Sequence, residues 1–401
     1  MSKLPYRNCW SHRPAGNIMR IDDTIYLDYQ AATPIDPRVL AGMTDAFRRN
    51  FANPHATDHF LGRLANDAIE HAAIAIANCV GAFAEDIVFT SGATEANALA
   101  LTSARSECGF DRHPTIVTCG GDHKSVIDQA HHFGLNVRTI ELDSNGAPDI
   151  DHASQIIDGE TALVSVIGVN NENGAITDLA SIGAICAETG TLFHADLSQS
   201  LSSVPIDIEA ANLSYATLSS QKAYGPKGIG ALVVDPKARA RLSPLLVGGG
   251  QQDGLRGGTM PTELCVGFGI ACDLIREERK TESSRLAILR DRLVNGIEAA
   301  GWGKLLGDRS NRHPGNALIE LFKMSAFDLL SRAQPKIAAS TRSSCSSSDE
   351  DYSHVLRAMG LGRERAERCV RFSLGRFSDE KQIDEVLATL DGISHDIAER
   401  D

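Results

Sequence analysis

The sequence predicts an α/β protein: a large sheet of seven mainly parallel strands flanked by helices, followed by a small α+β unit toward the C-terminal end. Three observations predict it. Between residues 86 and 234, short apolar runs alternate with segments of helical period. Apolar runs of that length, each followed by a helix, are the pattern of strands buried on both faces and joined by crossovers. After Val247 the alternation stops at a glycine-rich stretch, residues 248–254, and long helical periods with isolated strands take over. The length, 401 residues, is also more than one simple core serves.

In order, residues 1–23 read as an arm. Residues 1–20 mix Arg, His, Pro and Asn without the apolar segment of a secretory signal. Residues 24–30 read as a strand, 37–51 as a helix opened by proline, and 61–80 as a long amphipathic helix. The strands of the large sheet are 86–90, 115–119, 137–142, 163–169, 192–196, 214–219 and 229–234. Helices 94–101, 125–133, 150–157 and 179–189 lie between them. On this reading residues 24–260 are the large domain and 261–401 the small one, with part of the N-terminal segment packed against the latter. In the small domain, 263–300, 364–369 and 380–399 are helical, and 317–322 and 370–373 are strands.

Bulk properties exclude some classes. A net charge of −13 argues against a protein built to hold nucleic acid or an anionic membrane. No run reaches the roughly 18 apolar residues of a membrane span. The nine cysteines are scattered with no C-x-x-C pair, so no metal site is expected. Their odd number suits free thiols in a reducing cytoplasm.

The chemistry centres on residues 219–228, Ser-Ser-Gln-Lys-Ala-Tyr-Gly-Pro-Lys-Gly. Lysine is costly to bury unless it is paired or covalently used. At a strand end, among hydroxyls and before a glycine turn, Lys222 is a candidate Schiff-base former. The hydroxyls and backbone N–H groups nearby suit a phosphate. Together they suggest pyridoxal phosphate; a lone surface Lys-x-x-Gly turn is the alternative.

Other polar clusters follow the other strand ends. Residues 90–97, Thr-Ser-Gly-Ala-Thr-Glu-Ala-Asn, open a helix and suit either an anion or an ordinary N-cap. His123 follows the second strand, where it stacks on a flat ring or simply makes a turn. Asn170-Asn171-Glu172-Asn173-Gly174 offers amide donors or a turn. Asp196 ends a strand three residues before Gln199, and a carboxylate there suits a protonated pyridine nitrogen. Arg371 suits a substrate carboxylate or a surface ion pair. Cys345 sits among serines with Arg342 nearby, where a reactive thiol has access.

With these residues assembled, the chain resembles the pyridoxal-phosphate-dependent cysteine desulfurases of the class V aminotransferase superfamily, over residues 24–395. The group serving iron–sulfur cluster assembly is the nearest in pattern. The resemblance implies transferase fold type I, pyridoxal 5'-phosphate as cofactor and a homodimer. It puts the Schiff-base lysine at Lys222, the catalytic ring-stacking histidine at His123, the pyridinium partner at Asp196 and the ring-hydroxyl contact at Gln199. Phosphate contacts fall on Thr94, Ser219, Gln221 and, across a subunit boundary, the partner subunit's Thr259, with Ala93 also binding the cofactor. Asn171 and Arg371 match the substrate-carboxylate residues, and Cys345 matches the nucleophile. Gln221 stands where the family usually has histidine, and its amide still donates to phosphate. Arg342 and residues 346–351 replace the small neutral residues usual around the cysteine.

The implied reaction converts L-cysteine to L-alanine and leaves a persulfide on Cys345 for a sulfur-acceptor protein. The acceptor can belong to iron–sulfur assembly, tRNA thiolation or DNA phosphorothioation. Direct contact with nucleic acid is not expected. The rival readings are a selenocysteine lyase, another class V aminotransferase, and a non-catalytic sulfur-transfer scaffold.

Overall fold

The computed structural model describes residues 20–21, 23–105, 113–341 and 352–398. In chain order the elements are β1 (Arg20–Ile21), β2 (Thr24–Tyr26), α1 (Pro37–Arg49), α2 (Phe60–Val80), β3 (Ile87–Thr90), α3 (Ala93–Leu101), β4 (Thr115–Cys119) and α4 (Lys124–His132). Next come β5 (Asn136–Ile140), α5 (Ile150–Ile156), β6 (Thr161–Ile167), α6 (Leu179–Thr189), β7 (Leu192–Asp196), β8 (Tyr215–Ser219) and β9 (Gly230–Val234). The remainder is α7 (Thr262–Ala299), β10 (Gly303–Leu305), β11 (Asn316–Leu321), α8 (Ala326–Ala333), β12 (Ile337–Ala338), α9 (His354–Ala358), α10 (Arg363–Glu367), β13 (Cys369–Ser373) and α11 (Glu380–Ala398).

Seven strands form one sheet in the order β3-β9-β8-β7-β6-β4-β5. The β8-β7-β6-β4-β5 run is parallel, and β9 is antiparallel to both of its neighbours. Successive side chains of a strand point to opposite faces, and here both faces are apolar. Ile116 of β4 and Leu232 of β9 join one core, while Val117 and Ala231 beside them join the other. That two-sided burial is why these strands read as continuous apolar runs.

Local signals bound the helices. Asp36 caps α1 by accepting from Arg38 N, with Pro37 in the first turn. α2 stops at Gly81, whose φ of 76° suits glycine. Helix α7 has 38 residues and, at about 1.5 Å per residue, is about 57 Å long. Its first half places Cys265, Phe268 and Ile275 in the core under the large sheet. Its second half places Leu286, Leu293 and Ile297 in a separate core with β11, β13 and α11.

Two three-stranded sheets accompany that second core, in the orders β10-β11-β13 and β1-β2-β12. Ile25 and Leu27 of the N-terminal segment pack into it. The strand expected over 24–30 ends at Tyr26, because the chain turns at Asp28, where Ala31 N bonds back to Asp28 O. The three- and two-residue strands β10 and β12 are too short to be read from sequence, and α8, though amphipathic, has only eight residues.

The parallel strands β4, β6, β7 and β8 all end on one edge of the sheet. The chain leaves them at residues 120–123, 168–171, 197–199 and 220–222. Ligands of open α/β sheets sit beyond that carboxyl edge.

Candidate active site

Asp122 builds the first of these turns. Its buried carboxylate accepts from Cys119 N at 2.8 Å and from Ile167 N at 2.6 Å, fastening the ends of β4 and β6 together. Burial pushes its pKa up to about 7. The turn delivers His123 as the N-cap of α4, where its Nδ1 accepts from Ser125 N at 3.1 Å. Burial holds His123 below the ordinary histidine range, so the ring is neutral at pH 7.

Asp196 ends β7 and is buried. Its Oδ1 accepts from Ser198 N at 3.0 Å, closing a turn, and its Oδ2 accepts from Asn97 Nδ2 of α3 at 2.9 Å. Lys222 follows β8 through a single helical turn. Its Nζ donates to Gln30 O and Ala31 O, both at 2.7 Å. Gln199 Nε2 donates to the same Gln30 carbonyl at 2.8 Å. The turn after Tyr26 thus sets the lysine and the glutamine against one acceptor.

The polar loop after β6 is shaped by Asn170, whose Oδ1 accepts from the backbone of Glu172 and Asn173. Gly174 takes φ 78°, and a Cβ there would lie 2.5 Å from Asn316, so the loop packs closely on β11. Arg371 reaches this loop from β13. Its Nη1 donates to Asn171 O at 2.5 Å, and its Nη2 pairs with Asp28 at 2.6 Å.

One cavity of about 410 Å³ collects these groups. Ala93, Thr94, His123, Asn171, Asp196, Gln199, Ser219, Gln221, Lys222 and Arg371 all line it. Thr259 does not; it is exposed at the end of the glycine-rich loop. Cys345 and Arg342 lie outside the described residues. The chain on either side is held near the site. Ser340 is bridged to Arg371, and Ser353 donates to the buried Glu172 carboxylate. His354 Nε2 bonds to Asp122 O at 2.8 Å.

Sequence reasoning missed Gln30 and Ala31, which act through carbonyl oxygens and carry no side-chain signature. It also gave no role to Asn97, Ser125, Ser198 or Asp28. Asn97 had a signal: it falls one turn after Ala93, on the helix face that meets the cavity.

The family model Aminotransferase class-V matches residues 25–386. Cysteine desulfurase IscS of Rickettsia africae (strain ESF-5) is 40% identical over 365 residues, which is 90% of this chain and 88% of that protein. The chain belongs to the class V aminotransferases, among the cysteine desulfurases. Solved structures of this family repeat the fold. A NifS-like protein superposes with a TM-score of 0.86 at 29% identity, covering 93% of this chain and 99% of that one. SspA in complex with cysteine gives 0.77 at 32% identity, covering 87% and 98%. Class V aminotransferases and cysteine desulfurases depend on pyridoxal phosphate as a family.

Proposed function

We propose that this chain is a pyridoxal-phosphate-dependent cysteine desulfurase that converts L-cysteine to L-alanine and passes the sulfur to Cys345 and then to an acceptor protein. The observation that carries the reading is the meeting of Lys222, Asp196 and His123 on one cavity. The likeness to a cysteine complex supports L-cysteine as the substrate. The likeness to IscS supports iron–sulfur cluster assembly as the destination of the sulfur.

The residues fit pyridoxal phosphate. Helix α3 opens at Gly92 with no side-chain cap, so its first-turn N–H groups suit a phosphate beside Thr94, Ser219 and Gln221. The Oγ of Ser198, on the cavity wall, is buried with no partner among the described residues. Asp196 offers its carboxylate to a pyridinium nitrogen, and Lys222 offers an amine to an aldehyde. When bound, the cofactor supplies that aldehyde and a sink for the electrons of the substrate Cα–H bond.

The chain's own groups do the rest. Arg371 and Asn171 hold the substrate carboxylate, an arginine fork giving orientation as well as charge. Lys222 takes the Cα proton as general base. His123 covers the cofactor ring. The Cys345 thiolate attacks the substrate sulfur. The carbon–sulfur bond breaks with its electron pair left on the carbon fragment, which gains one proton at Cβ, takes the Cα proton back from Lys222 and leaves as alanine. Cys345 keeps the sulfur as a persulfide.

We take residues 24–260 as the large domain and 261–401 as the small one, the first half of α7 packing back under the large sheet. We take the enzyme as a cytoplasmic homodimer in which the partner's Thr259 completes the phosphate contacts. The exposure of Thr259 on its own chain supports that placement. No helix among the described residues is long and apolar enough to cross a membrane. The test is incubation with L-cysteine, a thiol reductant and no keto acid. Alanine and sulfide in equal amounts are expected, and absence of both ends the reading.

A further inference from the structure

Two groups on the cavity wall, Asp196 and His123, are joined by a chain of hydrogen bonds. Asn97 lies on α3, fully buried, and its Nδ2 donates to Asp196 Oδ2 and to Ser125 Oγ, both at 2.9 Å. Ser125 Oγ lies 2.8 Å from His123 Nδ1.

The direction of each bond is fixed by chemistry. A carboxylate only accepts, so the Asn97 amide must turn its NH2 toward Asp196. Both N–H bonds are then used, and the Asn97 Oδ1 is left buried with no partner among the described residues. Ser125 Oγ accepts from Asn97, so its own proton is free to point at His123. His123 Nδ1 already accepts from the backbone N–H of Ser125, which has no acceptor form. Two donors converge on Nδ1, and the ring proton is forced onto Nε2.

We propose that Asn97, through Ser125, is a positioning residue that locks His123 with its ring proton on Nε2 while fixing the Asp196 carboxylate through Oδ2. His123 therefore enters the reaction as a hydrogen-bond donor, not as a lone pair. The inference rests on the desulfurase reading for its catalytic consequence. Its structural part, the tautomer, stands apart from it.

Two measurements on the full chain loaded with pyridoxal phosphate test it. The first is NMR of the protein with 13C,15N-labelled histidine, the His123 signals being assigned by their loss in His123→Gln. An Nε2–H ring is expected; an Nδ1–H ring overturns the relay. The second is Asn97→Asp, which keeps the shape of the side chain but removes both donors and sets a carboxylate against Asp196. Its kcat is expected to fall about tenfold to a hundredfold, as misplacement of a reacting group does. The cofactor's visible band is expected to shift. Wild-type kcat with an unmoved band overturns the proposal. If Asn97→Asp does not fold, Ser125→Ala decides: shifted His123 signals and a slower rate are expected, and unchanged signals overturn it. A wild-type protein that makes no alanine sinks the desulfurase reading instead, and the His123 signals still report on the relay.

Discussion

Arg371 and Ser340 exchange two backbone hydrogen bonds, Ser340 N to Arg371 O at 3.1 Å and Arg371 N to Ser340 O at 2.8 Å. The side chain of Arg371 lines the cavity, while its backbone holds the chain five residues before Cys345. The group proposed to seat the substrate and the segment carrying the proposed nucleophile thus share one anchor. Arg371→Lys keeps a charge but loses the fork that serves Asn171, Asp28 and substrate together. We expect the KM for cysteine to rise about tenfold or more, the cost of a charge-assisted hydrogen bond. Bound cofactor should be unaffected. Steady-state alanine formation checks it.

Lys222→Ala should abolish both the yellow colour of the bound cofactor and alanine formation. The carbonyls of Gln30 and Ala31 then lose their common donor. Absorbance spectra of variant and wild type, each reconstituted with pyridoxal phosphate, check it.

Cys345→Ser should keep the colour and the spectral response to cysteine but release no sulfide. A persulfide-reactive label on the wild-type protein should map to this cysteine. Retained sulfide release by the variant removes Cys345 from its proposed role.

Asp122 predicts a pH dependence of stability. In the unfolded chain its carboxyl ionises near 3.8, and in the fold near 7. Between these values the folded state keeps a proton that the unfolded chain has given up. Its contribution is full below the lower value and falls as pH rises to the upper one, by an amount on the order of a few kcal/mol. Asp122→Asn should remove that downward slope. At the low end of that range it should also cost about 1–3 kcal/mol, since one amide oxygen replaces two acceptors for Cys119 N and Ile167 N, and this gap should narrow as pH rises. Denaturant melts between pH 4 and 8 check both.

The sheet and most of the cavity wall were legible in the sequence for one physical reason. A strand buried on both faces is an uninterrupted apolar run, so its end is abrupt. Asp196 closes such a run, and His123, Asn171 and Lys222 stand just past the ends of others. Arg371 was legible as chemistry rather than position, since β13 reaches the site from a different sheet. Gln30 was invisible because its contribution to Lys222 is a backbone oxygen that any residue offers. Asn97 was passed over because asparagine within a helical period reads as a cap or a solvated position. Only the fold turns it onto Asp196. Thr259 remains apart from its own chain's cavity, as a residue assigned by likeness to a partner's site would be.

Helix α7 runs from the core beneath the large sheet to the core behind β13. A single rod therefore joins the core under the strand that leads to the amine at 222 and the core of the strand that carries the guanidinium at 371. Any closing movement that brings the two cores nearer must bend that rod or slide a core along it, since no flexible joint interrupts it. Relative motion of the two cores is thus opposed by the stiffness of a helix rather than taken up by the slack of a linker.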